Sequence, residues 1–204
     1  LDRPVAVKVL SDSGLGTEGR ARLLREAQAA ARLDHPNIVS VYDAGETESM
    51  PFIVMQLVTG ASLHDCGPLS LPQIIAVARQ LCDALDHAHA QGIVHRDVKP
   101  ENVMIFGSGE RLIAKLMDFG LAHSRDASRL TQEDTLVGTV FYLAPEQALG
   151  QPVDGRADLY ALGVILYELT TGRLPFTGDD PLLIISQHLH APVARADEDP
   201  PVHH

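Results

Sequence analysis

The octapeptide HRDVKPEN, residues 95–102, is the stretch around which this chain is organised. It sets the carboxylate of Asp97, the amine of Lys99 and the carboxamide of Asn102 at short, fixed spacing. A carboxylate accepts a proton from a hydroxyl, an amine neutralises charge on a transferred phosphoryl group, and an amide oxygen binds Mg²⁺. The alternative is a polar surface turn, since Pro100 keeps the residue before it out of the helical region. Companion motifs elsewhere in the chain decide between these two interpretations.

Length and composition predict a globular protein with one large domain or two small lobes. The chain has 204 residues, of which 45% are hydrophobic. Its net charge of −11 argues against a nucleic-acid partner, which requires a basic surface. We expect Cys66 and Cys82 to be free thiols in a reducing compartment. Cys82 lies on a predicted apolar helix, and we expect it to belong to the hydrophobic core. No apolar run reaches the ~18 residues that a membrane-spanning segment needs.

The first part of the chain has the pattern of a small sheet with one helix. Residues 5–10 read as a strand, and a helix with an apolar face follows between residues 23 and 33. Two runs rich in β-branched residues, 38–42 and 52–58, predict antiparallel strands with a loop beginning at residues 43–45. The chain starts without methionine and enters a strand almost at once, so we expect a fragment.

From residue 71 onward the hydrophobic period is mainly helical. Residues 60–69 have the composition of a linker. The later predicted elements are, in order, a helix from residue 71 to Gly92, a hairpin of strands at 103–106 and 112–117, and helices at 157–171 and 181–190. Residues 191–204 are rich in proline and acidic residues, and we expect them to be poorly ordered.

The tripeptide Asp118-Phe119-Gly120 follows the second hairpin strand. Asp and Gly suit an ordinary turn. The functional interpretation is a metal ligand at a strand end, with Phe119 packed inward. Because Asp118 lies only sixteen residues after Asn102, the two are expected to reach the same Mg²⁺ from two sides of one hairpin.

Lys8 lies in the first predicted strand, and Glu26 lies on the helix that follows. A lysine in a strand is usually a solvated surface residue. If Glu26 pairs with it, the ion pair would aim the ammonium group at phosphate oxygens. We therefore expect a Lys8–Glu26 ion pair.

Taken together, these motifs resemble those of a eukaryotic-like Ser/Thr protein kinase. The motifs are found in the expected order and spacing at residues 5–8, 95–102, 118–120 and 144–146. The similarity is greatest to bacterial members, through Arg25-Glu26-Ala27, HPNIV at 35–39 and GTVFYLAPEQ at 138–147. The resemblance extends from residue 5 to about residue 190.

The resemblance implies a role for each polar residue of the motifs. These roles are Asp97 as catalytic base, Lys99 on the γ-phosphate, Asn102 and Asp118 on Mg²⁺, and Lys8 on the α- and β-phosphates with Glu26 as its partner. For the adenine ring it implies Ala6 as the roof, Met55 as gatekeeper, Gln56 to Val58 as the hinge and Met104 as the floor. Ala6, Met55 and Met104 would also be buried in most other folds.

The segment after Asp118 is rich in Ser and Thr, which also suits an ordinary loop. In a kinase it is the activation segment, and Thr131 and Thr135 are its expected phosphorylation sites. Arg96 would be the cation that docks a phosphothreonine. Thr139 resembles the substrate-platform threonine that contacts the base and Lys99.

Three further residues are expected to support the site. His95 is interpreted as a packing residue under Phe119 rather than as a general base. Asp158 resembles a buried aspartate that holds the backbone of the His95 loop, although an acidic residue also suits a helix start. Glu146 is expected to be a buried charge without its arginine partner, because this chain stops before the final helices of such a domain.

A glycine pattern at residues 14–19 matches G-x-G-x-x-G, which also occurs in dinucleotide-binding proteins. That interpretation leaves the motifs at residues 95, 118 and 144 unexplained, and no parallel sheet is predicted. Nor is this the phosphate loop of a kinase, which precedes the lysine strand, whereas this pattern follows Lys8.

The sequence thus predicts an α+β, bilobal fold like that of protein kinases. The expected divisions are a partial β-rich N-lobe at 1–58, a mainly helical C-lobe at 59–190 and a tail at 191–204. The expected function is transfer of the ATP γ-phosphoryl group to Ser or Thr hydroxyls of proteins, and the alternative is a catalytically inert pseudokinase-like interaction module.

The expected cofactors are ATP and Mg²⁺, with Mn²⁺ as a substitute. The expected partners are protein substrates, with autophosphorylation in trans and no nucleic acid. We expect a cytoplasmic location, in a parent protein whose membrane anchor, if it has one, lies outside this stretch.

Overall fold

The computed structural model describes residues 3–9, 16–47, 50–119, 140–195 and 197. The first sheet is antiparallel and consists of β1 (Val5–Val9), β2 (Val41–Thr47) and β3 (Met50–Gln56), with β3 in the centre. The helix α1 (Gly16–Ala30) packs on this sheet through Ala27, which joins an apolar cluster with Ile53 and Met55. The predicted first strand and first helix are therefore present.

The second sheet is also antiparallel and has the order β4 (Ala61–Ser62), β5 (Val103–Phe106) and β6 (Ile113–Leu116). The predicted hairpin is confirmed as β5 and β6. The linker prediction missed β4. A side chain on Gly60 would run into the carbonyl oxygen of Ile105, so glycine is what lets this segment approach β5.

The helices are α2 (Leu71–Ala90), the short α3 (Pro145–Ala148), α4 (Gly155–Thr171) and α5 (Pro181–His190). Together with the two sheets they confirm the α+β class. Gly172 ends α4 in the left-handed conformation, with φ of 75°. Among the described residues, no helix is both long and apolar enough to cross a membrane. The proposed lobe boundaries stay a prediction.

The main core lies between α2, α4 and the second sheet. Its fully enclosed side chains include Val77, Leu81, Leu85, Val103, Leu116 and Ile165. The prediction that Cys82 belongs to the core is wrong, because Cys82 is exposed. Leu81 and Leu85 occupy the buried face of α2, and Cys82 is rotated about 100° away from Leu81 by the helical period.

The position of β2 differs from its prediction. The strand begins at Val41 and runs through residues 43–45, which were expected to form a loop. It contains a bulge between Val41 and Asp43. Gly45 pairs with Phe52, and the ring of Phe52 fills the space that a Gly45 side chain would need. Cross-strand packing therefore overrides the poor strand propensity of this segment.

A backbone connection joins the two sheets. Ile38 forms a parallel bridge with Leu116, the N–H of Val39 donates to Leu116 O at 2.8 Å, and Leu116 N donates to Asn37 O at 2.8 Å. The Asn37 side chain then donates to Gln80 Oε1 on α2 at 2.7 Å. This connection brings the end of β6, and with it Asp118, to face the first sheet.

Candidate active site

The polar residues of the 95–102 loop converge on one carboxylate. Lys99 Nζ lies 3.3 Å from Asp97 Oδ1, and Asn102 Nδ2 donates to Asp97 Oδ2 at 3.2 Å. Asn102 Nδ2 also donates to the backbone oxygen of Asp97 at 2.7 Å. The side chains of Asp97 and Lys99 are only 15% and 16% exposed. The structure thus brings the three predicted residues together in a partly desolvated group.

Asp158 supports this loop from the beginning of α4. Its fully buried carboxylate accepts hydrogen bonds from His95 N at 2.8 Å and from Arg96 N at 2.7 Å. His89 Nε2 on α2 lies 2.7 Å from the same carboxylate. The carboxylate therefore links two helices to the backbone just before Asp97.

His95 is fully buried and packs edge-on against Phe119, with ring centroids 4.6 Å apart. Its Nδ1 accepts from Asp97 N at 3.2 Å, so the ring proton is on Nε2, which donates to Met117 O at 2.8 Å. His95 thereby joins the Asp97 loop to the segment that leads into Asp118. Its position against Phe119 is the one expected from the sequence.

The expected Lys8–Glu26 ion pair is not formed, so this prediction of contact is wrong. Lys8 Nζ instead pairs with Asp118 Oδ2 at 2.6 Å. Glu26 pairs with Arg22 at 3.3 Å, one turn earlier on α1, where the i,i+4 spacing brings the two side chains together. Burial raises the pKa of Glu26, against the lowering effect of Arg22. Lys8 and Asp118 thus meet across the junction of the two sheets.

The residues predicted to bind a divalent cation fit that role. Asp118 has φ of 67°, and its Oδ1 is buried without a hydrogen-bond partner in the described part of the chain. Asn102 directs Nδ2 to Asp97, which turns its Oδ1 to the opposite side. No cluster of three or more His, Cys, Asp or Glu suited to a metal occurs among the described residues. A cation held by two protein oxygens is consistent with Mg²⁺, which takes most of its ligands from phosphates and water.

Most of the residues predicted to surround adenine gather beside the first sheet. Met55 is buried, and Ala6 and Val58 pack against its cluster. Gln56 N donates to Ser40 O at 2.9 Å, so this N–H group is already used within the protein. Met104 lies on β5 opposite Lys115 and is not part of that cluster.

Several predictions concern the segment after Asp118. Thr131, Thr135 and Thr139 lie outside the described residues. The Arg96 side chain is partly buried, and its Nε has no hydrogen-bond partner in the described ranges. Burial lowers the pKa of Arg96, and the charge of Glu26 opposes this effect. The cation expected to dock a phosphothreonine thus lies near Glu26.

Glu146 does not match the expectation of a buried charge without a partner. It lies on α3 and is only partly buried, so water can reach it. Sequence reasoning also missed His89, which contacts the Asp158 carboxylate, and Gln147, which contacts the backbone oxygen of Arg96. Nothing in the sequence indicated the His89 contact, whereas Gln147 directly follows the Ala144-Pro145-Glu146 motif.

The contact between His89 and Asp158 predicts a pH dependence of stability. The hydrogen bond to Asp158 raises the pKa of His89. A group whose pKa is higher in the folded than in the unfolded protein stabilises the fold at pH values below its unfolded-state pKa. This stabilisation is lost as the pH rises through the folded-state pKa. We expect His89→Gln to lower the free energy of unfolding by about 1–2 kcal/mol near pH 6 and by less near pH 9.

Urea unfolding of wild type and variant at several pH values measures this difference. His64→Gln is the control, because His64 is exposed. A His89→Gln loss that stays constant from pH 6 to pH 9 would show that the charge on His89 contributes nothing.

Comparison with known proteins gives one family and a set of bacterial relatives. The family model described as "Protein kinase domain" matches residues 2–202. The chain is 46% identical over 211 aligned positions to the serine/threonine-protein kinase PknB of Mycobacterium leprae, covering 98% of this chain and 33% of that protein. It is 43% identical over 196 positions to the serine/threonine-protein kinase PrkC of Bacillus subtilis, covering 94% of this chain and 30% of that protein. The chain therefore spans about a third of the length of these relatives.

Proposed function

The chain belongs to the protein kinase domain family, and on this premise we propose that it is the catalytic core of a protein-serine/threonine kinase. The convergence of Asp97, Lys99 and Asn102 in one loop, opposite the Lys8–Asp118 pair, is the observation that carries the proposal. These are two cations, two carboxylates and an amide, the groups that phosphoryl transfer requires. The names of the relatives support the same function.

In the proposed reaction, Asp97 accepts the proton of a substrate hydroxyl. Lys99, beside it, places positive charge where the transferred phosphoryl group passes. Asn102 holds Asp97 through both its backbone and its side-chain oxygen, which limits the rotation of the base. A bound divalent cation neutralises phosphate charge, and Asn102 and Asp118 are the residues that would hold it.

Lys8 has a second task in this proposal. In the structure its ammonium group is bound to Asp118. Bound ATP would offer this ammonium group the anionic oxygens of its α- and β-phosphates, and Asp118 would hold the divalent cation. Lys8 thus exchanges the carboxylate of Asp118 for phosphate oxygens, and its positive charge keeps an anionic partner. Glu26 becomes its partner only if it leaves Arg22.

The finer assignments follow from the same proposal. Ala6, Met55, Gln56, Val58 and Met104 surround adenine, and Thr131 and Thr135 are phosphorylated in trans by a second copy. The cation is Mg²⁺, with Mn²⁺ able to replace it because both prefer oxygen ligands. The acceptors are Ser and Thr hydroxyls of proteins. The reaction takes place in the cytoplasm, which supplies ATP.

Nucleotide binding by this 204-residue chain tests the proposal. With ATP and Mg²⁺ at about a hundred times Kd, the melting temperature is expected to rise by about 5–10 °C. Lys8→Met is expected to remove most of this shift, because the phosphates lose their cation. Arg79→Met, on the exposed side of α2, is the control and keeps the shift.

Phosphate transfer from labelled ATP to a generic protein substrate by the full-length protein completes the test. A thermal shift without any transfer favours the inert interaction module over the kinase. Absence of both in correctly folded protein rejects the nucleotide site itself.

A further inference from the structure

The backbone from His95 to Asp97 is held almost entirely by side chains. Asp158 binds the N–H groups of His95 and Arg96, and His95 Nδ1 accepts from Asp97 N. Asn102 binds the carbonyl oxygen of Asp97. The carbonyl oxygen of Arg96 accepts from Gln147 Nε2 at 2.8 Å. Gln147 is thus the partner that comes from α3, the helix that follows the segment 120–139 in the chain.

Arg96 needs such support because of its conformation. Its φ of 67° lies in the left-handed region, which a residue with a side chain rarely adopts. Such a residue keeps this conformation only when the surrounding structure holds it in place. Asp158 holds the peptide before Arg96, and Gln147 holds the carbonyl of the peptide that leads into Asp97. Rotation of that second peptide would turn the Asp97 side chain away from Lys99.

Both the oxygen and the nitrogen of the Gln147 carboxamide form hydrogen bonds. Its Oε1 accepts from Ala144 N at 3.2 Å, which caps the beginning of α3, while its Nε2 binds Arg96 O. One planar group therefore ties α3 to the 95–102 loop. Glutamate in its place would keep the acceptor for Ala144 but would set an anionic oxygen against the Arg96 carbonyl. Leucine would remove both contacts.

We propose that Gln147 is a positioning residue that holds the Arg96–Asp97 peptide, and so couples the placement of α3 to the orientation of the catalytic base. This inference rests on the proposed function, because it assigns Gln147 to the same base. A displacement of α3 withdraws the hydrogen bond from Arg96 O and leaves the Arg96–Asp97 peptide with only the contact of its N–H to His95 Nδ1.

The test compares Gln147→Glu and Gln147→Leu with wild type in the full-length protein, with Gln151→Leu as the control. Gln151 is exposed just beyond α3. We expect both Gln147 variants to lower kcat about tenfold, as for the loss of one hydrogen bond that orients the base, with KM for ATP changed less than twofold. Gln147→Glu keeps the cap on Ala144 and is therefore expected to lower the melting temperature less than Gln147→Leu does. A role in helix capping alone predicts the opposite, a Gln147→Glu variant with wild-type kcat.

Hydrogen exchange on the 204-residue chain provides a second readout that does not need activity. Amides of residues 96 and 97 are expected to exchange faster in Gln147→Leu than in wild type, whereas those of β6 stay unchanged. If the wild type transfers no phosphate, the proposed function fails, but the exchange rates still decide whether Gln147 holds this peptide. Unchanged exchange at residues 96 and 97, or a kcat of Gln147→Glu within twofold of wild type, would overturn the inference.

Discussion

Replacing Asp97 with asparagine is expected to lower the rate of phosphoryl transfer by about 10²–10⁴-fold, the usual contribution of a positioned general base. The substitution preserves the shape of the side chain and removes its ability to accept a proton. Nucleotide affinity is expected to stay within a few-fold of wild type, because Lys8 and Asp118 are unchanged. The effect should therefore appear in kcat and not in KM for ATP.

Initial rates with labelled ATP and a protein substrate, measured in the full-length protein, give these two constants. Asp83→Asn on α2 is the matched control, since Asp83 is exposed and lies outside the site. Phosphorylation that survives Asp97→Asn at more than a tenth of the wild-type rate would exclude Asp97 as the base.

Replacing Asp158 with leucine is expected to cause the largest loss of stability, about 3–5 kcal/mol in the free energy of unfolding. The carboxylate is fully buried and accepts two backbone N–H groups, from His95 and Arg96, besides its contact with His89. Leucine has the branched shape of Asp, but it is bulkier and accepts no hydrogen bond. Two buried N–H groups and a raised-pKa imidazole would then lose their partner.

Chemical denaturation at pH 7 measures this loss, with Asp154→Ala as the control on the same helix. Asp154 caps α4 by accepting from Arg156 N, but it is exposed, so water can replace it. Asp154→Ala should therefore lower the free energy of unfolding far less than Asp158→Leu. Comparable losses for the two variants would mean that the buried contacts of Asp158 add little to stability.

The predictable parts of this fold are those set by local pattern. The helical period predicted from residue 71 to Gly92 and at 157–171 identified α2 and α4, and the strand predicted at 103–106 identified β5. Prediction failed at β2, where Ala44 and Gly45 are poor strand formers. Both residues pair with β3, and the Phe52 ring packs over Gly45. These contacts come from another strand, so the local propensity of residues 43–45 could not indicate them.

The candidate site also has a part that the local sequence predicts and a part that it does not. The short spacing in the sequence was enough to predict that Asp97, Lys99 and Asn102 lie close together, because only five positions separate the first from the last. The partners that lie far away in the chain follow from tertiary packing. It paired Lys8 with Asp118, left Glu26 with Arg22, and brought Asp158 and Gln147 to the two sides of Arg96.

The physical reason is the range over which each interaction acts. Spacing of a few residues restricts distance directly, since consecutive Cα atoms are about 3.8 Å apart. Residues 8 and 118, or 96 and 158, approach only when the sheets and helices between them pack in one particular arrangement. That arrangement results from burial summed over many side chains, and the partners of the HRDVKPEN loop follow from it.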